Sequence, residues 1–215
     1  GERNYHVFFQ IFHLPADWRA QMKLTAPDDY HFLKQGGCST VEGIDDPEEL
    51  GLMRDAFKRL GISDSDAIAM FSIVAAVMHL GNARFERSGD ETVQVANPDD
   101  VALASNLLGV DAKACEKTLV TREIKAGREI AIANNNHKQA EDSRDGLAKA
   151  LYGKLFDYIT DLINKGIAAV KTGELVNSIG VLDIFGFEIF KVNSFEQLCI
   201  NLANEKLQYH FNAHI

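Results

Sequence analysis

Apolar positions recur at helical spacing through the first two-thirds of the chain. Tyr5, Phe8, Phe9 and Phe12 form the i, i+3, i+4, i+7 stripe of an opening amphipathic helix. Pro15 and Asp17 suit the first turn of a second short helix, and Pro27-Asp28-Asp29 breaks it before a loop centred on Gly36-Gly37. The run Asp46-Pro47-Glu48-Glu49 predicts an N-cap at Asp46, a first-turn proline and acids at the positive end of the helix dipole. Leu50, Met53, Phe57 and Leu60 supply the buried stripe that follows, and Gly61 ends it. From Ser63 to Gly81 the pattern is apolar nearly all round, which predicts a helix inside the fold.

Arg84-Phe85-Glu86 and Thr92-Val93-Gln94-Val95, flanking Ser88-Gly89-Asp90, predict a small β-hairpin. Two short helices follow, near Pro98 to Leu108 and Asp111 to Leu119. Thr121 to Ala133 alternates around Gly127 and predicts an exposed β-loop. Asn134-Asn135-Asn136 then leads into a long helix from His137 to Lys171, with Leu147, Leu151, Leu155, Tyr158 and Leu162 on one stripe.

Composition narrows the classes of function. The chain has 215 residues, 22 Lys and Arg against 31 Asp and Glu, and a net charge of −9. That balance argues against a nucleic-acid partner, because phosphate neutralisation needs a basic face. The apolar stretch from Ala67 to Leu80 is interrupted by Ser72 and His79 and falls short of the roughly 20 residues a bilayer requires, so no transmembrane segment is expected. Cys38, Cys115 and Cys199 are odd in number and far apart, which suits a reducing, cytosolic setting and a packing role. The chain opens on Gly1 and closes at Ile215 inside a helical pattern, so it reads as a piece of a larger protein.

The character changes at Ser178. Ile179-Gly180-Val181-Leu182-Asp183-Ile184-Phe185 is almost continuously apolar, as expected of a strand covered on both faces, and the strand is predicted over 178–185. One acid, Asp183, interrupts it. A carboxylate there needs a metal, a cation or backbone donors to offset its desolvation. Asp183 with Gly186 gives the Asp-x-x-Gly spacing of nucleotide switches, in which the acid orders Mg²⁺ directly or through water and the glycine brings a backbone N–H close to a phosphate. The same four residues also suit a simple capping turn. Glu188 adds a second acid, and Ser194 with Gln197 makes a capping box that opens another helix through Phe195, Leu198, Leu202, Leu207 and Phe211.

Asp183-Ile-Phe-Gly-Phe-Glu188, followed by Asn193-Ser-Phe-Glu-Gln-Leu-Cys-Ile-Asn-Leu-Ala-Asn-Glu-Lys-Leu-Gln208, closely resembles the switch II loop and relay helix of the myosin motor domain. Glu2 to Gln10, Ala76 to Asn82 and Arg144 to Gly153 resemble further stretches of that family in the same order. The resemblance implies a mainly α chain with an α/β element, part of a P-loop NTPase (kinesin/myosin-like) motor fold. It implies an upper 50-kDa part over 1–177, a sheet strand and switch II over 178–193, and a truncated relay helix over 194–215. By the same resemblance Asp183 sits near Mg²⁺ through water, with no direct metal ligand in the chain. Gly186 offers its N–H to the γ-phosphate of Mg-ATP, and Glu188 pairs with a switch I arginine that lies outside this sequence. Ser194, Phe195 and Asn201 belong to the mechanical relay toward the lever.

The exposed loop from Thr121 to Ala133 resembles the family's actin-contacting loop. Glu129, sixteen residues ahead of Asp145, falls at the family's acidic or phosphorylatable position. Arg122, Lys125 and Arg128 are placed either to meet the acidic surface of an actin filament or to be solvated. The implied function is a segment of an actin-activated Mg-ATPase motor of the cytoplasm and cytoskeleton. Alternatives are another switch-type NTPase or a non-catalytic helical interaction module. No Gly-x-x-x-x-Gly-Lys-Ser/Thr occurs, since Ala148 stands where Gly153-Lys154 would need a glycine, so the isolated segment is expected to be inactive. His210 and His214 share a helical spacing but lack a third ligand type nearby, and His79 reads as a satisfied core histidine.

Overall fold

The computed structural model describes residues 3–89, 92–127, 129–168 and 179–214. Arg128, Asp90, Ser178 and the expected end of the long helix at Lys171 lie outside the described residues. The chain divides into two compact units, Gly1–Ala168 and Ala169–Ile215.

The first unit is helical, with two antiparallel hairpins. The opening stripe forms α1 (Val7–Gln10), tightened into a 3₁₀ turn over Ile11–His13. It stops at Leu14, whose ψ of 159° is the extended conformation that the following Pro15 imposes. Phe8 and Phe9 are buried, whereas Tyr5 remains 49% exposed and stacks on Tyr152 at 4.8 Å between ring centroids. Next come α2 (Ala16–Gln21), α3 (His31–Lys34) and α4 (Asp46–Arg59).

The N-cap of α4 is Asp45 rather than Asp46. The Asp45 carboxylate accepts the Glu48 N–H at 3.0 Å. Asp46 lies one residue inside the helix and is taken by a different partner, the Arg3 guanidinium, at 2.6 Å. A long-range partner therefore decides between two adjacent acids of equal capping propensity.

Helix α5 (Asp64–Gly81) is the centre of the unit, capped by Ser63, whose hydroxyl accepts the Asp66 N–H at 3.1 Å. Its charges are confined to the first turn; from Ala67 onward almost every side chain is buried. It is long and apolar enough to cross a membrane, but it is the core helix on which α1, α3, α6 (Pro98–Leu108) and α8 (His137–Ile167) pack. His79 is the satisfied core histidine expected, with Nε2 2.9 Å from the Met22 carbonyl and its ring edge-on to Tyr30. At the end of α5, Asn82 fastens three segments. Its Oδ1 accepts the His31 N–H at 2.8 Å, its amide donates to the Asp29 carbonyl at 3.0 Å, and its own carbonyl accepts from Asn97 at 2.9 Å.

The first hairpin pairs β1 (Phe85–Arg87) with β2 (Val93–Val95) in the register Phe85↔Val95, which turns Phe85 and Val93 inward. Helix α7 (Ala112–Val120) leads into the second hairpin, β3 (Thr121–Ala126) and β4 (Glu129–Asn134), paired from Thr121↔Asn134 to Ala126↔Glu129. Gly127 turns it with φ +65°, a left-handed backbone that favours glycine. The long helix α8 opens on a reciprocal capping box between Asn136 and Gln139. It buries Ala140, Arg144, Ala148 and Leu155, but Tyr158, expected on the buried stripe, is 50% exposed.

In the second unit the strand expected over 178–185 does not form among the described residues. Among the described residues, 179–190 form no regular element. An apolar run becomes a strand only against a neighbour that accepts its N–H groups, and none of the described strands pairs with it. The regular element among the described residues of this unit is α9 (Phe195–His214).

Candidate functional site

The candidate site is the segment from Asp183 to Glu188 laid along the first half of α9, and asparagine side chains hold it there. Asn193 closes the approach to the helix: its Oδ1 accepts the Phe190 N–H and its amide returns a bond to the Phe190 carbonyl, both at 3.0 Å. Ser194 then starts α9. Its N–H donates to Gln197 Oε1 at 2.7 Å, and its hydroxyl oxygen accepts the Glu196 N–H at 3.2 Å.

Two turns into the helix, Asn201 grips the main chain of Glu188. Its Oδ1 accepts the Glu188 N–H at 2.7 Å and its amide donates to the Glu188 carbonyl at 2.8 Å. This is the two-bond exchange of an antiparallel strand pair, made by one side chain. One turn later Asn204 donates to the Phe185 carbonyl at 2.8 Å. Gly186 and Phe187 are thus bracketed between two anchors. Gln197 adds a weaker bond to the Glu188 carboxylate at 3.3 Å, leaving that carboxylate with acceptor capacity to spare.

Asp183 is exposed, with no hydrogen-bond or ion-pair partner among the described residues. The Gly186 N–H has no acceptor there either. A Cβ added to Gly186 would meet nothing within 4 Å, and its backbone is not in the left-handed region. Nothing among the described residues therefore requires glycine at 186. A group approaching from outside would, because only glycine gives a ligand unobstructed access to the backbone N–H. The residues present suit part of a magnesium-nucleotide site: one free acid for a cation's water shell and one free N–H for a phosphate oxygen. No group of three metal-ligating side chains gathers among the described residues.

Asp183, Gly186 and Glu188 lie in one segment; Asn201 bears on it directly, whereas Ser194 bonds only within the first turn of α9, to Glu196 and Gln197. Phe195 is 78% exposed and makes no hydrogen bond to the segment. Asn204 and the second role of Gln197 escaped the sequence reading. The legible signal was a pair of asparagines at i, i+3 in a helix interior, where asparagine is a poor helix former and needs a reason to be. His210 and His214 lie close, with ring centroids 4.2 Å apart, and His214 Nδ1 is 2.8 Å from the His210 carbonyl, a local contact with no third ligand among the described residues.

The second predicted surface is the β3–β4 hairpin. Lys125 and Glu129 have no ion-pair partner among the described residues. Ile130 and Ile132, on the same face as Lys125, are exposed. Arg122 is different: its guanidinium is engaged at the base of the hairpin, where Nη1 lies 2.7 Å from the Asn134 carbonyl, 3.1 Å from Asn135 Oδ1 and 2.7 Å from Gln139 Oε1.

The pattern of the family described as myosin head (motor domain) matches residues 1–215. The chain is 44% identical over 217 residues to the non-muscle myosin-2 heavy chain of Acanthamoeba castellanii, covering all of this chain and 14% of that one. It is 44% identical over 220 residues to the myosin-I heavy chain of Dictyostelium discoideum, covering all of this chain and 9% of that one. It is 40% identical over 218 residues to myosin-17 of Arabidopsis thaliana, again over its whole length and 14% of the relative. The chain thus spans about one-seventh or less of these relatives, and over all of its own length it belongs to the myosin head (motor domain) family.

Proposed function

We propose that this chain is the portion of an actin-based, Mg-ATP-hydrolysing motor that runs from the upper 50-kDa part through switch II into the relay helix. In this reading residues 1–177 form the upper 50-kDa part, 178–193 the strand and switch, and 194–215 the relay helix. The strand would form once the other strands of a P-loop NTPase sheet stand beside it. The observation that carries the reading is the pair of asparagine anchors at Glu188 and Phe185, which fix the main chain on both sides of Gly186 while its N–H and the Asp183 carboxylate have no partner among the described residues. Asp183 would order the water shell of Mg²⁺, and Gly186 would donate to the γ-phosphate as charge develops there. Glu188 would complete the enclosure of the attacking water by pairing with a cation from outside this chain. Because the anchors are on α9, a shift of the loop toward phosphate would be a shift of the helix, which suits the two-position element a motor needs. Lys125 and Glu129 on the hairpin would face actin, and the setting would be the cytoplasmic cytoskeleton.

The test is Glu188→Ala in the complete motor. Nucleotide binding should stay within about twofold while single-turnover hydrolysis falls by about a hundredfold or more, since the change removes closure and not phosphate anchoring. An unchanged single-turnover rate would refute the assignment.

A further inference from the structure

A two-stranded ribbon standing off a helical body has little of its own to fix its direction. On the β3–β4 hairpin, Ile124, Ile130 and Ile132 are all exposed, so the unit does not grip the ribbon by packing on these side chains. The grip is polar and lies at the base. The two Nη1 hydrogens of Arg122 serve three acceptors: the Asn134 carbonyl, Asn135 Oδ1 and Gln139 Oε1. Gln139 is the N3 member of the α8 capping box, donating its N–H to Asn136 Oδ1 at 2.9 Å and accepting the Asn136 N–H on Oε1 at 3.0 Å. Asn135 is buried, and its amide donates to the Leu119 carbonyl at 3.0 Å and to Ser143 Oγ at 3.2 Å. Its N–H closes on the Val120 carbonyl at 2.8 Å. One guanidinium therefore ties the first strand of the ribbon to the end of the second, to the first turn of α8 and, through Asn135, to the end of α7.

We infer that Arg122 is a positioning residue: it locks the hairpin to helix α8 and sets the angle at which the ribbon meets its partner, without touching that partner. The consequence for affinity rests on the reading of the hairpin as an actin-contacting surface; the lock does not. Lysine cannot replace arginine here, because a single ammonium on a flexible stem lacks the planar fork that reaches three acceptors at once.

The experiment compares Arg122→Lys, Arg122→Met and Lys125→Ala in the complete motor, reading amide exchange over residues 123–125 and 130–133 together with actin affinity at several salt concentrations. Exchange of the buried α5 amides serves as the internal standard for global stability. Both Arg122 variants should raise hairpin exchange by about tenfold, as expected for losing a partly exposed charge-assisted network, with α5 unchanged. Actin affinity should fall by about threefold or more, and in Arg122→Lys, which keeps the charge, its salt dependence should stay the same. Lys125→Ala should do the reverse, weakening the salt dependence and leaving exchange alone. Unchanged hairpin exchange in both Arg122 variants overturns the lock. Raised exchange with unchanged actin affinity overturns the contact role of the hairpin and leaves the lock standing.

Discussion

Asn201 holds Glu188 by its backbone and not by its carboxylate, with the side-chain oxygen on the Glu188 N–H at 2.7 Å and the side-chain nitrogen on the Glu188 carbonyl at 2.8 Å. The position of the loop is thereby fixed while the carboxylate, bonded only by Gln197 among the described residues, keeps acceptor capacity to spare. Asn201→Asp keeps the acceptor but loses the donor, and Asn201→Ala loses both. With each bond worth about 0.5–1.5 kcal/mol net, the Ala variant should expose the Glu188 amide to exchange roughly ten to a hundredfold faster, with Asp in between. Equal protection in all three would mean that the clamp does not restrain the loop.

Asp45 and Asp46 are adjacent, but they do unequal work. Asp45→Ala removes an exposed helix cap and should cost about 1 kcal/mol. Asp46→Ala strands the Arg3 guanidinium, which is 97% buried, 4.1 Å from the Phe9 ring centroid, and already has Nε and Nη1 without acceptors. Leaving a buried charge uncompensated should cost about 3–5 kcal/mol. Denaturant unfolding of the two variants should show that order, and the reverse order would contradict the assigned roles.

Acid should weaken the first unit through His79. Burial holds its pKa below the ordinary 6.5, opposed by the bond to the Met22 carbonyl and by the nearby Asp100 charge. His31 shifts the same way, by burial and then by the Arg144 charge. The unfolded chain therefore binds more protons than the folded one just below pH 6.5. The stability contributed is fully present above that pH and is lost as pH falls toward the depressed folded values. Melting temperature should drop between pH 7.5 and 5, and by less in His79→Gln, which can still donate to Met22. An identical drop in the variant would clear His79 of the effect.

Glycines inside helices behave in opposite ways. Gly146 and Gly153 in α8 have open space where a Cβ would go, so each alanine should stabilise by about 0.5–1 kcal/mol by restricting the unfolded chain and improving helix propensity. At Gly81 a Cβ would lie 2.5 Å from the Phe32 ring, so alanine there should destabilise by about 1–3 kcal/mol. Thermal melts of the three single variants should split in sign.

Much of the first unit was readable because its helices carry their own stop and start signals. Helices α5 and α8 start where the pattern predicted, just after Ser63 and Asn136, and α5 is buried nearly all round because its sequence offers no polar face. What failed to read was what depends on a distant partner. Two adjacent aspartates look alike until Arg3, 43 residues away, selects one. Arg122 looks like a free surface cation until Asn134, Asn135 and Gln139 converge on it. Tyr158 fits its stripe, but a stripe does not say how far along a 31-residue helix the neighbours extend.

Sequence by itself determined the helical periodicity, the turn glycine at 127 and the Asp-x-x-Gly spacing of Asp183 and Gly186, because each is a local matter of backbone geometry and residue type. Tertiary structure decided how that spacing is presented. It put Asn201 and Asn204 against Glu188 and Phe185 and left the Gly186 N–H and the Asp183 carboxylate without a partner among the described residues. It also left the apolar run 179–185 without strand structure, since a strand is a relation between two segments and its partner has to come from elsewhere in the fold.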